Sequence, residues 1–387
     1  MQNFPPWPSF TKEETDAVSR VLLSNRVNYW TGAEGREFEK EFAAFCGCRY
    51  AVALANGTVA LELALRALGV GQGDEVIVPC YTFIATASAV VACGAVPVMA
   101  DIDSRSLTVT AETVSQRLGP KTKGIIVVHL TGWPCDMDPI MELAEEHGLK
   151  VVEDCAQAHG ASYKGRAVGT IGDIGAWSFC QDKIMTTGGE GGMVTTNSEV
   201  LWKKMWSYKD HGKSWEAVHE KLHPEGFRWV HETFGTNARM TEMQAAIGRV
   251  QLQRMPEWQE RRRRNAAVLI EGFTAVYGID VYEPPADVVH AYYKFYAFLN
   301  DEIPAVPGTR DAVMAGINAS GVPCFSGICP EIYLEKAFGE MIPAMTERLP
   351  VASGRGQRSL MFLVHPTLGE DEMRQTVDVV QRVLSGF

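Results

Sequence analysis

YAVALANGTVALELALRALGVGQGDEVIVP, residues 50–79, reads as a strand, a helix and a second strand. Tyr50–Leu54 and Glu75–Pro79 are short runs dominated by Val, Ile and Ala, whereas Thr58–Leu68 places apolar residues three and four apart, as an amphipathic helix does. Strand–helix–strand alternation is the signature of a parallel sheet with crossover helices, so the unit predicts an α/β fold. The same alternation continues outward. Strands are expected at Val96–Ala100, Gly124–Val128 and Lys150–Glu153, with helices at Ile84–Ala92, Ala111–Leu118 and Asp138–Glu146.

The character changes after Thr196. A Trp- and charge-rich stretch runs from Trp202 to Trp229, followed by a helical pattern over Met240–Met255 whose Ala245, Ala246 and Gly248 permit close packing. From about Gly272 onward, a strand-like Tyr292–Leu299 and helical patterns around Arg310–Ala319 and Glu370–Leu384 suggest a smaller α+β unit. The expected division is therefore a large α/β domain over 1–255 and a small α+β domain over 256–387. The Arg261–Arg264 run reads as a solvated helix face.

Bulk properties narrow the function. A chain of 387 residues with 46% hydrophobic side chains can bury a large core. Its formal net charge of -11 argues against a nucleic-acid partner, which would select a concentrated excess of Lys and Arg. The opening MQNFPPWPSFTKEE lacks a basic start and apolar run, and the apolar stretch Ile77–Val98 is broken by turn chemistry, so neither a secretory signal nor a membrane span is expected. The 9 cysteines are scattered without zinc-site or disulfide spacing. A cytoplasmic protein without a metal centre fits this composition.

Three segments could carry chemistry. In Asn56-Gly57-Thr58 a strand runs into a helix through a glycine, and free amides at a helix N-terminus suit a phosphate; an ordinary N-cap explains the same residues. In Glu153-Asp154-Cys155-Ala156-Gln157 a strand ends in acidic residues where open α/β sheets bind ligands. Asp154 there suits the protonated nitrogen of a pyridine ring and Gln157 a ring oxygen, although a solvated strand end is the plainer alternative. In Ser178-Phe179-Cys180-Gln181-Asp182-Lys183 one lysine follows a buried-looking strand and precedes the cluster Gly188-Gly189-Glu190-Gly191-Gly192. A lysine amine forms a Schiff base only when neutral, which burial or neighbouring positive charge favours. A surface lysine beside a turn is the competing reading.

Taken together and in this order, the segments resemble the DegT/DnrJ/EryC1/StrS sugar aminotransferases, pyridoxal-phosphate enzymes of the aspartate-aminotransferase-like fold. The resemblance runs from about Asn28 to Gln251 and returns in Leu363–Thr367. It rests on Trp30-Thr31-Gly32, Asn56-Gly57-Thr58, Tyr81–Thr86, Glu153–Gln157, Ser178-Phe179 with Lys183, and Gly189–Gly192. It implies that pyridoxal 5'-phosphate is carried on Lys183, with Asp154 at the ring nitrogen, Phe83 on the ring face and Gln157 at the ring oxygen. Gly57, Thr58 and Ser178 would bind the phosphate. The segment Phe234–Glu242 resembles the one whose asparagine reaches the phosphate of a neighbouring subunit, which makes Asn237 the cross-subunit candidate and the active unit a homodimer.

The implied reaction transfers an amino group, usually from glutamate, to a keto-sugar carried on a nucleotide, in amino-sugar biosynthesis for a surface polysaccharide or a glycosylated metabolite. A related dehydratase replaces the lysine with histidine, which Lys183 argues against. Amination of a cyclitol or another non-nucleotide ring is the alternative, and a regulator without catalysis is a further one that the intact lysine and aspartate disfavour. Lys213–Glu232 and Gly321–Cys329 lie where family members read the sugar, and the latter lacks the expected basic or imidazole side chains.

Overall fold

The computed structural model describes residues 4–304, 306–339 and 348–387. In chain order the strands are β1 (Tyr50–Leu54), β2 (Glu75–Pro79), β3 (Val96–Ala100), β4 (Thr122–Val128), β5 (Lys150–Asp154), β6 (Ser162–Tyr163), β7 (Arg166–Ala167), β8 (Ile174–Ser178), β9 (Gly192–Thr196), β10 (Ile279–Asp280), β11 (Val288–Val289), β12 (Phe295–Leu299), β13 (Cys324–Phe325) and β14 (Ser359–Phe362). The main sheet has the order β1-β9-β8-β5-β4-β2-β3. Its pairs are parallel except those of β9, which runs antiparallel to both β1 and β8. The expected α/β class is therefore the observed one. Val76, Ile77 and Val78 are all fully buried because helices cover both faces, and their alternation sends Val76 and Val78 to one core and Ile77 to another.

The helices Gly57–Ala67, Ala85–Ala92 and Met137–His147 lie within a residue of the expected spans. The helix begun at Ala111 ends at Ser115 rather than Leu118, with Gly119-Pro120 close behind it. The helical pattern read as Met240–Met255 is a helix from Glu242 to Thr274 that passes through Pro256. A proline costs such a helix one backbone bond, about 3 kcal/mol, and burial of Leu252, Met255, Trp258, Ala266 and Leu269 on either side offsets it.

That helix links two cores. Ala245, Leu252, Met255 and Trp258 pack with Phe38, Phe42, Trp177 and Phe179. Ala266, Leu269 and Phe273 pack with Phe295, Leu360 and Phe362 of a second sheet, ordered β10-β12-β14-β13. The boundary expected at 255/256 falls inside this shared helix. Arg262 corrects the reading of the arginine run: Arg261, Arg263 and Arg264 are exposed, but Arg262 is buried against the ring of Trp7. Among the described residues no helix is long and apolar enough to cross a membrane.

Candidate active site

The carboxyl ends of β5 and β8 and the start of the helix Gly57–Ala67 open onto one cavity of about 980 Å³. Gly57, Thr58, Phe83, Asp154, Gln157, Ser178 and Lys183 all line it. Asn237 does not. It is exposed and forms a backbone bridge with Asp210.

Each residue owes its place to local structure. The Asn56 side chain caps the helix by accepting from the Val59 amide at 2.9 Å, so the first-turn amides of Gly57 and Thr58 stay clear of the helix's own ladder. The N-cap reading and the phosphate reading are thus compatible, because Asn56 does the capping. Gly57 is pressed onto β8: a Cβ there would lie 2.6 Å from Ser178 Cβ and 3.0 Å from its Oγ. Ser178 Oγ accepts from the Cys180 amide at 3.3 Å and keeps its own proton to donate.

Alternation along β5 sends Glu153 and Asp154 to opposite faces. Asp154 enters the cavity, accepting from Thr86 Oγ1 at 3.0 Å and from the Ala156 amide at 3.1 Å. Burial pushes its carboxyl up, while those donors and the positive charge of Lys183 oppose the shift. Glu153 turns into the protein and accepts from the amides of Gly169, Ile171 and Gly172 and pairs with His129 Nε2 at 3.0 Å. Burial alone would raise Glu153, yet His129 and these amides hold it below its ordinary value.

Gln157 Oε1 accepts from the Thr131 amide at 2.7 Å, which leaves its NH2 group free for the cavity. Thr131 adopts φ 60 to make this bond. Phe83 is 61% exposed, a large aromatic ring presented to an open space rather than packed into a core. Lys183 is half-buried, with Nζ 5.0 Å from the Tyr293 ring centre, and its carbonyl accepts from Trp7 Nε1 at 2.8 Å.

The profile of the DegT/DnrJ/EryC1/StrS aminotransferase family matches residues 8–381. The chain belongs to this family. It is 40% identical over 371 residues to the UDP-N-acetyl-3-dehydro-alpha-D-glucosamine 3-aminotransferase of Acidithiobacillus ferrooxidans, covering 95% of this chain and 93% of that one. It is 38% identical over 360 residues to the GDP-perosamine synthase of Caulobacter vibrioides, covering 92% of each. Among solved structures, an aminotransferase from Psychrobacter cryohalolentis superposes with a TM-score of 0.96 at 57% identity, over 99% of each chain.

Pyridoxal phosphate is the cofactor that membership of the family implies. The donor set is chemically suited to it: a buried carboxylate, an amine, a free amide side chain, and the helix-start amides of Gly57 and Thr58 beside the Ser178 hydroxyl. The helix start can approach the Ser178 hydroxyl this closely because Gly57 has no side chain to strike it.

Several cavity residues carry no motif in the sequence. Tyr293, Lys294 and Tyr296 line the cavity, as do Phe325, Gly327 and Ile328 from the segment whose chemistry looked unsuited to a sugar. The strand expected at Tyr292 starts only at Phe295, because Tyr292 adopts φ 48 and its amide donates to His290 Nδ1 at 2.8 Å. That kink keeps Tyr293 and Lys294 out of the sheet register. The signal available was a single lysine in an otherwise aromatic, strand-like run. No described residue of 213–232 lines this cavity.

Proposed function

We propose that this chain is a pyridoxal-phosphate-dependent transaminase that moves an amino group from glutamate to the keto carbon of a nucleotide-activated sugar. The observation that carries this reading is the convergence of Asp154, Lys183 and the Gly57–Ser178 cradle on one cavity. A nucleotide-linked acceptor is favoured over a cyclitol because the UDP-sugar aminotransferase and the GDP-perosamine synthase match at 40% and 38% over more than nine-tenths of this chain, whereas two 2-deoxy-scyllo-inosose aminotransferases match at 35% over 98% and at 38% over 77% of it.

When bound, the cofactor supplies an electron sink for the negative charge left when a proton leaves carbon. The amides of Gly57 and Thr58 and the hydroxyl of Ser178 would hold its phosphate in the positive field of the helix terminus. Asp154 would hold a proton on the ring nitrogen, and that positive partner would in turn keep the buried carboxylate ionised. The NH2 group of Gln157 would donate to the ring oxygen. Phe83 would cover the ring face, which explains an exposed phenylalanine at the cavity wall. Lys183 would hold the cofactor at rest, and its free amine would serve as the acid and base that takes a proton from the donor's amine-bearing carbon and returns it.

We further infer a homodimer in which Asn237 of one chain reaches the phosphate site of the other, a role that suits its exposure outside its own cavity. The cytoplasm is the compartment that goes with this reading, and 1–255 and 256–387 are its two domains, sharing one long helix. Incubating the purified protein with pyridoxal phosphate, glutamate and a panel of nucleotide keto-sugars and keto-cyclitols tests the proposal. An aminated nucleotide sugar and an equivalent of 2-oxoglutarate are expected; amination of cyclitols alone would favour the alternative acceptor.

A further inference from the structure

We propose that Lys294 anchors a carboxylate of the amino donor and of the 2-oxo acid it leaves behind. The inference rests on the transaminase reading above and adds to it the part of the site that selects the donor.

Lys294 lines the same cavity as Lys183, and the two ammonium nitrogens share the Tyr293 ring, at 4.8 Å and 5.0 Å from its centre. Its side chain is only 14% exposed, yet its nearest carboxylate, Asp182, stands at 3.9 Å, beyond hydrogen-bond reach. Asp182 is also shared, since it accepts from the Tyr293 hydroxyl, and its own side chain is 54% exposed. A third cation stands behind. Arg262 is buried, gives Nη1 to the carbonyls of Tyr292 and Tyr293, and has no partner among the described residues for Nε and Nη2.

Lys183 has Asp154 to face, whereas Lys294 and Arg262 share Asp182 alone, so the Lys294 ammonium is left with room for a closer anion. Of the charged residues lining the cavity, Asp154, Asp182 and Glu190 are acidic and Lys183 is engaged by the cofactor in the proposed reading, so Lys294 is the lining cation still without a task. Burial is the main cause that pushes its ammonium down to about 8; Asp182 opposes the shift, and Arg262 and Lys183 reinforce it. A bound carboxylate would restore the compensation that burial removes. Phe325, Ile328 and Tyr296 add apolar surface to the same cavity.

The position selects a carboxylate over a diphosphate. In an amino acid donor the carboxylate is one bond from the carbon that carries the transferred nitrogen, and so lies beside Lys183. In a nucleotide sugar the diphosphate is separated from the aminated carbon by at least another ring carbon and the glycosidic oxygen.

The test uses cofactor-loaded protein and glutarate, a dicarboxylate that has no amine to transfer. Calorimetric titration of glutarate, and of UDP in parallel, into wild type, Lys294→Met and Lys294→Arg reads binding without turnover. Lys294→Met should weaken glutarate at least about tenfold, the scale of one charge-assisted hydrogen bond, and raise the KM for glutamate in step. Lys294→Arg should stay within about threefold, because the charge remains. UDP affinity and cofactor uptake should not change. Glutarate that binds wild type and Lys294→Met alike, or a loss confined to UDP, overturns the assignment. Failure of the wild type to bind cofactor at Lys183 would instead defeat the transaminase reading on which it rests.

Discussion

Gly57→Ala tests the phosphate cradle without removing any polar group. The added Cβ would stand 2.6 Å from Ser178 Cβ and 3.1 Å from Ser178 Cα, whereas ordinary contact begins at 3.4 Å. Ser178 cannot yield, because it ends β8 and its backbone is paired with Gly192 of β9. The helix start must therefore move away from the strand by roughly 1 Å, an overpacking cost of about 1–3 kcal/mol to the protein. The same displacement parts the Gly57 and Thr58 amides from the Ser178 hydroxyl, so a phosphate can satisfy one set but not both. Losing one hydrogen bond to a charged group costs about 1.5–3 kcal/mol, which corresponds to a roughly ten- to hundredfold weaker Kd. The assay is titration of apo protein with pyridoxal phosphate, followed by absorbance, beside a control titration with pyridoxal, which lacks the phosphate. The variant should lose affinity for the first and not the second. A Kd for pyridoxal phosphate within about twofold of wild type, a difference well under 1 kcal/mol, would refute the cradle.

Other perturbations separate the remaining parts. Asp154→Asn should still take up cofactor but lose most single-turnover reactivity toward glutamate, since a neutral partner no longer holds a proton on the ring nitrogen; a rate within about twofold of wild type would reject that role. Glu153→Gln should destabilise the protein by about 3–5 kcal/mol in urea unfolding, because it breaks a buried pair with His129 and a set of amide donors. Glu153 is held below its ordinary 4.5, so its contribution is complete above that pH and is lost as the pH falls through the depressed value; the gap between wild type and variant should narrow on acidification. Mixing Asn237→Ala with Lys183→Ala chains should restore part of the activity through heterodimers with one intact site, measured after confirmed subunit exchange. Unchanged cofactor affinity in Asn237→Ala would remove the shared site.

The parallel strands were legible because strands covered on both faces must be apolar throughout, and Val76-Ile77-Val78 or Ile125-Ile126-Val127 can be little else. β9 was not, since Gly192–Thr196 reads as the tail of a glycine cluster; only the fold reveals that Gly192 is small because a Cβ would strike the Asn56 carbonyl at 2.3 Å. The helix expected to end at Met255 runs on through Pro256 to Thr274, because burial on either side of the proline outweighs the bond it removes. Arg262 illustrates the same limit. A run of four arginines averages to a solvated face, but one of them faces Trp7 and the carbonyls of Tyr292 and Tyr293. At the site, local motifs pointed to Asp154, Lys183 and Gly57, which the fold gathers in one cavity. Lys294 and Thr131 went unseen because their places depend on backbone kinks at Tyr292 and Thr131 that no periodicity encodes.

The proposed chemistry depends on which amine carries the cofactor. Borohydride reduction of pyridoxal-phosphate-loaded protein fixes the link covalently, and peptide mapping by mass spectrometry then locates it. The adduct should fall on the peptide containing Lys183, in a yield matching the bound cofactor, and be absent from Lys183→Ala. An adduct on another lysine, Lys294 included, or none in protein shown to hold the cofactor, would contradict the assignment.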